Sequence, residues 1–405
     1  MVKRRDGRSG RLASMTFTDA GLDRLQQATQ QRIDKGELPG VVMLVADGGE
    51  EFVAAQGTST FGGTEPLQRD TPFRIASMTK PMVAAVTMML VDDGTLNLTD
   101  PVERWLPELA DRRVLTRIDG PLDETAPAER PITVDDLLTF RLGHGLITEP
   151  EFNPPSYPII QAANELDLCM AEPDPRTPHE PDEWLRLFAT LPLMDQPGVR
   201  WRYNTGSLIL GVLLARVSDR CLPEVLAERL FTPLGMADTG FWLPLERAER
   251  LPGYYMTDFS TGKMTERPIS GPDVWSRPPA YPSGAAGLAS TVDDVRRFAR
   301  LLHDRGAGLL SASAYQMMTT NVLTPQQIAG GGFILAGRGW SYGMSVAVTP
   351  DEVSAAPGRY GWEGGYGTLW FNDPASGRTV ILLTQVSDAL FNGTFTEFGK
   401  LALAA

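Results

Sequence analysis

Between Pro81 and Val91 the chain reads PMVAAVTMMLV, an apolar run in which Thr87 is the one polar interruption, and it is opened by SMTK (77–80) and closed by Asp92, Asp93 and Gly94. A helix with no polar face has to lie inside a core or a membrane. The run falls short of the ~20 residues a bilayer requires, so it predicts a helix passing through the middle of a large hydrophobic core. A chain of 405 residues, 42% hydrophobic and 21% charged, can supply that core as one large domain of two intimate lobes.

The entrance to this helix is chemically odd. Ser77 and Lys80 are three positions apart and share a face if the helix begins near the serine. Pro81 fits a first-turn position, where the backbone N–H has no intrahelical partner to lose. A lysine amine beside a core is dehydrated, which lowers its pKa and lets it activate a serine hydroxyl without histidine. The plainer reading is that Ser77 caps the helix while Lys80 reaches out to water. A second S-x-x-K, Ser260 to Lys263, lies among Gly, Thr and Asp with no apolar helix after it and reads as a surface turn.

Ser341 competes for attention, because GWSYG (339–343) matches the G-x-S-x-G nucleophile elbow. That motif needs a helix after it and a histidine further on. His144, His179 and His303 all precede Ser341, and a strand-like YGMSVAV follows it. The three histidines are not at ligand spacing, and no metal or cofactor is expected. A second proton carrier for Ser77 is offered by Tyr203, at the start of WRYNTGSLILGVLLARVSD. Near a lysine ammonium a phenol ionises more easily, so Lys80 and Tyr203 form a candidate base pair. In GWEGGYGTLWF (361–371), glycines crowd a strand-like segment, which suits close approach of a substrate carbonyl or a bulge. Its backbone N–H and that of Ser77 can form an oxyanion hole.

The net charge of -13 argues against nucleic acid and anionic membrane as partners. With only Cys169 and Cys221 a disulfide framework is not expected, and reduced thiols fit a cytoplasmic setting. The basic stretch MVKRRDGRSGRLAS has no apolar segment of secretory type after it, so residues 1–14 are expected to be a disordered extension. Either Met1 or Met15 fits as the start.

Coarse patterning gives an α+β fold. A helix is expected over 18–35, a hairpin over 40–57 around Asp47-Gly48-Gly49, and strands in YGMSVAVTP, YGWEGGYGTLWFNDP and GRTVILLTQVS. Helices are expected over 80–93, 134–141, 182–190, 206–218, 223–230 and 291–304. The sheet is thus built from both ends of the chain, with a helical lobe inserted. Residues 144–181 form a long Pro- and acid-rich connection of the kind that is more often functional than idle.

Ser77-Met78-Thr79-Lys80, Tyr203 in WRYNTG, and Trp362-Glu363-Gly364 before the last hairpin resemble the penicillin-binding-protein and class C β-lactamase superfamily of serine hydrolases. DTPFRIASMTK, FTPLGMADTGF (231–241) and YPSGAAGLASTVDDVRRFARLL (281–302) support the likeness, which covers about 18–400 and looks closest to the family VIII carboxylesterases. It implies one catalytic domain over 15–405 with a mainly antiparallel sheet flanked by terminal helices. The α/β lobe spans about 15–76 and 281–405, the helical lobe about 77–280, and the site lies between them. It further implies Ser77 as the acylated nucleophile, Lys80 and Tyr203 as the base pair, and N–H groups of Ser77 and Gly365 as the oxyanion hole.

Two departures bear on substrate. β-Lactamases of this group carry Lys-Thr-Gly where this chain has Trp362-Glu363-Gly364, so the cation for a β-lactam carboxylate is missing. Thr205 stands where the second motif usually has Asn, with Asn204 one place early. Trp362, Glu363, Gly364 and Thr205 are therefore the candidate substrate-binding residues. A cofactor-free esterase acting on small, short-acyl carboxylic esters is the leading expectation. An acyltransferase or amidase, a β-lactamase or D-Ala-D-Ala peptidase, and a non-catalytic binding protein are the alternatives.

Overall fold

The computed structural model describes residues 17–148, 157–170, 177–258, 260–267 and 271–405. The expected extension over 1–14, with Met15, lies outside the described residues, as do 149–156 and 171–176 of the Pro-rich connection.

The chain opens with α1 (Asp19–Asp34), capped by Thr18, whose hydroxyl accepts the Gly21 N–H at 3.1 Å. The hairpin of β1 (Gly40–Asp47) and β2 (Glu50–Gly57) follows. The all-apolar helix is α2 (Thr79–Asp92), and every residue from Thr79 to Leu90 is buried. Burying Met82, Val83, Val86 and Leu90 contributes roughly 1.5–3 kcal/mol each, which offsets the cost of one dehydrated lysine in the same helix. α3 (Thr205–Ser218) is likewise buried from Thr205 to Leu214, and the amphipathic α4 (Val292–His303) starts at the Thr291 cap.

Short strands β3 (Gly339–Trp340) and β4 (Ser345–Val346) precede β5 (Tyr360–Gly364), β6 (Thr368–Asp373) and β7 (Arg378–Leu383), and α5 (Thr394–Ala404) ends the chain. The strands form one seven-stranded antiparallel sheet in the order β2-β1-β7-β6-β5-β4-β3. Alternation along the strands divides their side chains between two faces. Val41, Met43, Val45, Leu369, Phe371 and Leu382 pack with Leu25 of α1 and Phe398 of α5. Val42, Leu44, Trp370 and Ile381 face the other way, into the core that holds Phe298 of α4 and most of α2. The fold is the β-lactamase/transpeptidase-like fold.

Local departures from the expected pattern have local causes. The helix expected over 134–141 stops at Leu138, and Phe140 then takes φ 58°, where a helix cannot continue. The one expected over 223–230 runs from Leu222 to Leu226 and continues as a wider turn over Ala227–Phe231. Tyr255–Asp258 and Lys263–Glu266 form a hairpin inside the stretch assigned to the helical lobe. It sits on the sheet side instead, because Tyr255 packs with Leu369 and Phe371 and donates its N–H to the Gln385 carbonyl. Helices at Pro158–Glu165, Ala312–Thr319 and Pro325–Gly330 are too short to show as periodic patterns.

Candidate active site

Ser77 lies in a tight turn, Ala76–Met78, directly before α2. Two-residue strands at Phe73–Arg74 and Ala289–Ser290 pair just upstream, and the Ile75 N–H reaches the Leu288 carbonyl at 3.0 Å. Ala76 takes φ 44°, a costly conformation for alanine that persists because the paired strands and α2 fix both sides of the turn. Met78, not Ser77, occupies the N-cap position of α2, and no side chain caps this helix. The Ser77 hydroxyl is thereby left for other partners.

Lys80 Nζ stands 2.9 Å from Ser77 Oγ and donates to the Ala285 carbonyl at 2.8 Å. The amine is 1% exposed, and burial holds its pKa well below the ordinary lysine value. No carboxylate offsets that burial, so the neutral amine is favoured. A neutral amine keeps a lone pair, which can accept the Ser77 proton.

Tyr203 precedes α3, and its ring centroid is 4.5 Å from Lys80 Nζ. Trp362 Nε1 donates to Tyr203 Oη at 2.7 Å. Burial raises the phenol pKa, and hydrogen bonds with Ser77 and Trp362 work against the rise. Burial thus opposes the ionisation that a nearby lysine ammonium was expected to promote in the phenol, and it disfavours charge on both groups. An indole N–H donates only, so Tyr203 Oη accepts from Trp362. Trp362, Tyr203, Ser77 and Lys80 thus stand in one line of hydrogen-bonding groups.

Behind this line stands an aromatic wall. The Trp362 ring meets Trp340 edge-on at 4.8 Å, and the Arg338 guanidinium lies 5.2 Å over the Trp362 ring. Arg338 is bound by both carboxylate oxygens of Glu363 and also donates to the Leu335 carbonyl. Its charge is thus matched by a carboxylate within the site.

β5 passes against the nucleophile turn. A β-carbon on Gly364 would fall 2.3 Å from the Ile75 carbonyl oxygen and 2.1 Å from Thr368 Oγ1. What approaches this glycine is the turn itself, not a substrate carbonyl, and Gly364 does not line the cavity in front of Ser77. Gly365 does, with Ser77, Tyr203, Asn204, Trp362 and Glu363, around a volume of about 670 Å³. Such a volume suits a ligand of drug-like size.

Of the four residues expected to touch substrate, Trp362 and Glu363 line the cavity and Gly364 does not. Thr205 is also absent from it: its hydroxyl is buried 3.3 Å from His144 Nδ1 because the first turn of α3 points into the helical core. Asn204 lines the cavity instead, held at φ 87° with its amide donating to the Met170 carbonyl. Ser341 is fully buried and donates to the Met318 carbonyl at 2.6 Å, away from the cavity. Ser260 is exposed in the hairpin turn and bonds Asp258.

Burial and the nearby Arg112 and Arg202 push His144 down to about 3, so it is a neutral packing group. Among the described residues no group of His, Cys, Asp and Glu could hold a metal ion, and no helix is long and apolar enough to cross a membrane. Ala285 and Arg338 escaped sequence reasoning. The first acts through a carbonyl that any residue carries, and the second reaches Glu363 from 25 positions away.

The profile of the beta-lactamase family matches residues 25–396. The chain is 35% identical over 382 residues to Protein Rv1367c of Mycobacterium tuberculosis, with 90% of each chain covered. It is 31% identical over 392 residues to Esterase EstB of Burkholderia gladioli, with 92% of each covered. Among solved structures it superposes on EstCE1, described as a hydrolase with promiscuous acyltransferase activity, at a TM-score of 0.77 and 25% identity, covering 95% of this chain and 98% of the other.

Proposed function

The chain belongs to the beta-lactamase family and is a serine hydrolase, and from that premise we propose that it is a carboxylesterase that forms its acyl-enzyme on Ser77. The observation that carries this reading is the placement of Ser77 Oγ between a dehydrated amine, 2.9 Å away, and a phenol held by an indole N–H. Ser77 attacks the ester carbon while its proton passes to the neutral Lys80 amine. The N–H groups of Ser77 and Gly365 receive the oxyanion. Tyr203 gives its proton to the departing alkoxide. The resulting phenolate is steadied by Trp362 Nε1–H and by the Lys80 ammonium beside the ring until the proton returns. Water then repeats the sequence on the acyl-enzyme and releases the acid.

Acyl transfer to an alcohol or amine uses the same steps with water replaced, and the printed description of EstCE1 makes it the second reading. β-Lactam hydrolysis is disfavoured, because Trp362 offers no charge and the guanidinium nearest to it is matched by Glu363. The test is turnover of p-nitrophenyl acetate beside nitrocefin. The ester should be cleaved well and nitrocefin poorly; comparable efficiency on both would overturn the esterase reading.

The pH profile follows from the direction of the lysine shift. Lys80 is needed as the free amine, and burial lowers its pKa, so kcat/KM should rise with pH through that lowered value and level off before the ordinary lysine range near pH 10.5. Tyr203 moves the other way and stays protonated over this interval. Stability has the same sign: the unfolded chain binds the lysine proton more readily, so this group adds stability as pH rises. Activity that is greatest at acidic pH and falls as pH increases would exclude Lys80 as the base.

A further inference from the structure

The wall of the cavity carries an ion pair beside the reacting groups. Arg338 follows the short helix Gly332–Leu335, and groups other than an acid already fix its guanidinium. The Leu335 and Ile334 carbonyls accept from it at 3.2 and 3.4 Å, and it lies 5.2 Å over the Trp362 ring. Glu363, the next residue of β5, adds a forked bond in which Nη1 and Nη2 of Arg338 donate to its two carboxylate oxygens. Neither side chain is sealed off: Arg338 is 22% exposed, Glu363 is 20% exposed, and both line the cavity with Ser77. The Trp362 indole links the pair to the chemistry, since its Nε1 donates to Tyr203 Oη. After burial and its hydrogen bonds, the Tyr203 phenol is raised by Glu363 and lowered by Arg338, so both charges are felt where the proton moves. Elsewhere on the wall Arg359 is matched by Asp351, and Glu352 pairs with Lys400. Among the described residues the cavity thus presents no cation without an acid beside it.

We propose that Glu363 is the specificity-determining residue that confines this site to uncharged esters, because its carboxylate occupies the place on Arg338 that a substrate carboxylate would take. As a statement about substrates the inference rests on the esterase reading. An ester bearing a carboxylate has two ways to enter, and both are unfavourable. It can displace Glu363, which leaves that acid unpaired in a cavity largely closed to water, or it can lie beside the intact pair, with like charges together and no free donor fork. An uncharged ester meets neither obstacle. Removing the charge of Glu363 reverses the situation. Arg338 keeps its two backbone carbonyls and the Trp362 ring, so the guanidinium stays in place and becomes a ready carboxylate site. Gln fits the position of Glu363 in size, and the remaining partners of Arg338 do not depend on it.

The experiment uses two matched pairs of esters, one with the charge on the acid and one with it on the alcohol: p-nitrophenyl valerate beside mono-p-nitrophenyl glutarate, and methyl 4-acetoxybenzoate beside 4-acetoxybenzoate. The native protein should prefer the uncharged member of each pair by about tenfold or more in kcat/KM. In Glu363→Gln the ratio should move toward the anion by about 10–100-fold in at least one pair, mainly through KM, which is the worth of one charge-assisted bond. Adding Arg338→Gln should abolish that gain. In parallel, monomethyl glutarate is titrated calorimetrically into Ser77→Ala protein with and without Glu363→Gln. Binding that appears with Glu363→Gln and is lost again with Arg338→Gln supports the assignment whatever the turnover. The same binding with no ester hydrolysed by the native protein would defeat the esterase reading and leave the role of Glu363 standing. Native protein that takes the charged esters as readily as the uncharged ones, or ratios and binding that Glu363→Gln does not change, would overturn the proposal alone. A gain that persists in the variant also lacking Arg338 would overturn the assignment of the guanidinium as the place being blocked.

Discussion

Ser77→Ala should abolish acylation, lowering kcat by roughly 10⁵–10⁶-fold, the scale on which loss of a nucleophile is felt when its partners act as one unit. The fold should survive. Met78 occupies the cap position of α2, so the helix loses no cap, and Lys80 keeps its bond to the Ala285 carbonyl. Ser341→Ala is the opposite case. Its hydroxyl is buried against the Met318 and Met344 carbonyls and faces no cavity, so the change should cost about 1 kcal/mol of stability and leave most activity intact. Intact-mass spectrometry after treatment with a fluorophosphonate decides between the two serines. An adduct on Ser341, or one that persists in Ser77→Ala, would refute the assignment of Ser77.

The second large effect concerns the two proton carriers. Lys80→Met removes the only amine within reach of Ser77 Oγ among the described contacts and should reduce kcat/KM by about 10³–10⁴-fold. The same change should raise Tm, since a methionine of similar length does not carry a charge that burial opposes. Tyr203→Phe should lose about 10²–10³-fold. The double variant should lose far less than the product, because each carrier is useful only while the other holds or returns the proton. Trp362→Phe leaves a ring in place but takes the N–H from Tyr203 Oη. One hydrogen bond to a developing charge is worth about 1.5–3 kcal/mol, or roughly 10–100-fold in rate. Full multiplicativity of Lys80→Met and Tyr203→Phe would mean that the two act in separate steps and not as one unit on Ser77.

Features that depend on neighbours along the chain were legible in the sequence. The burial of α2, the meeting of Ser77 with Lys80 across one turn, and the hairpin of β1 and β2 all follow from spacing. Tyr203 could be proposed only because Ser77 and Lys80 had already defined a need. Features that depend on distant contacts were not legible. Gly364 was expected to admit a substrate and instead admits the Ile75 carbonyl. Thr205 was expected at the site and is turned inward, because the register of α3 places Asn204 on the cavity side and Thr205 against His144. A backbone carbonyl such as that of Ala285, or a guanidinium parked on an indole 24 positions ahead, leaves no mark in local composition.

The pairing of β1 with β7 joins Val42 to Leu383, 341 positions apart in the sequence. At synthesis rates of about 5–20 residues per second, β1 leaves the ribosome roughly 17–70 s before the strand that will lie beside it. During that interval β1 exposes one unpaired edge, and its buried residues from Gly40 to Ala46 lack the layers that cover them. Such a segment is prone to pair with other chains, so protection by a chaperone early in synthesis should govern yield. The catalytic turn inherits the same timing, since the strand that packs against Ile75 is also made late. The contact of Gly364 with the Ile75 carbonyl, which backs the nucleophile turn, can form only after residues 360–364 have been made.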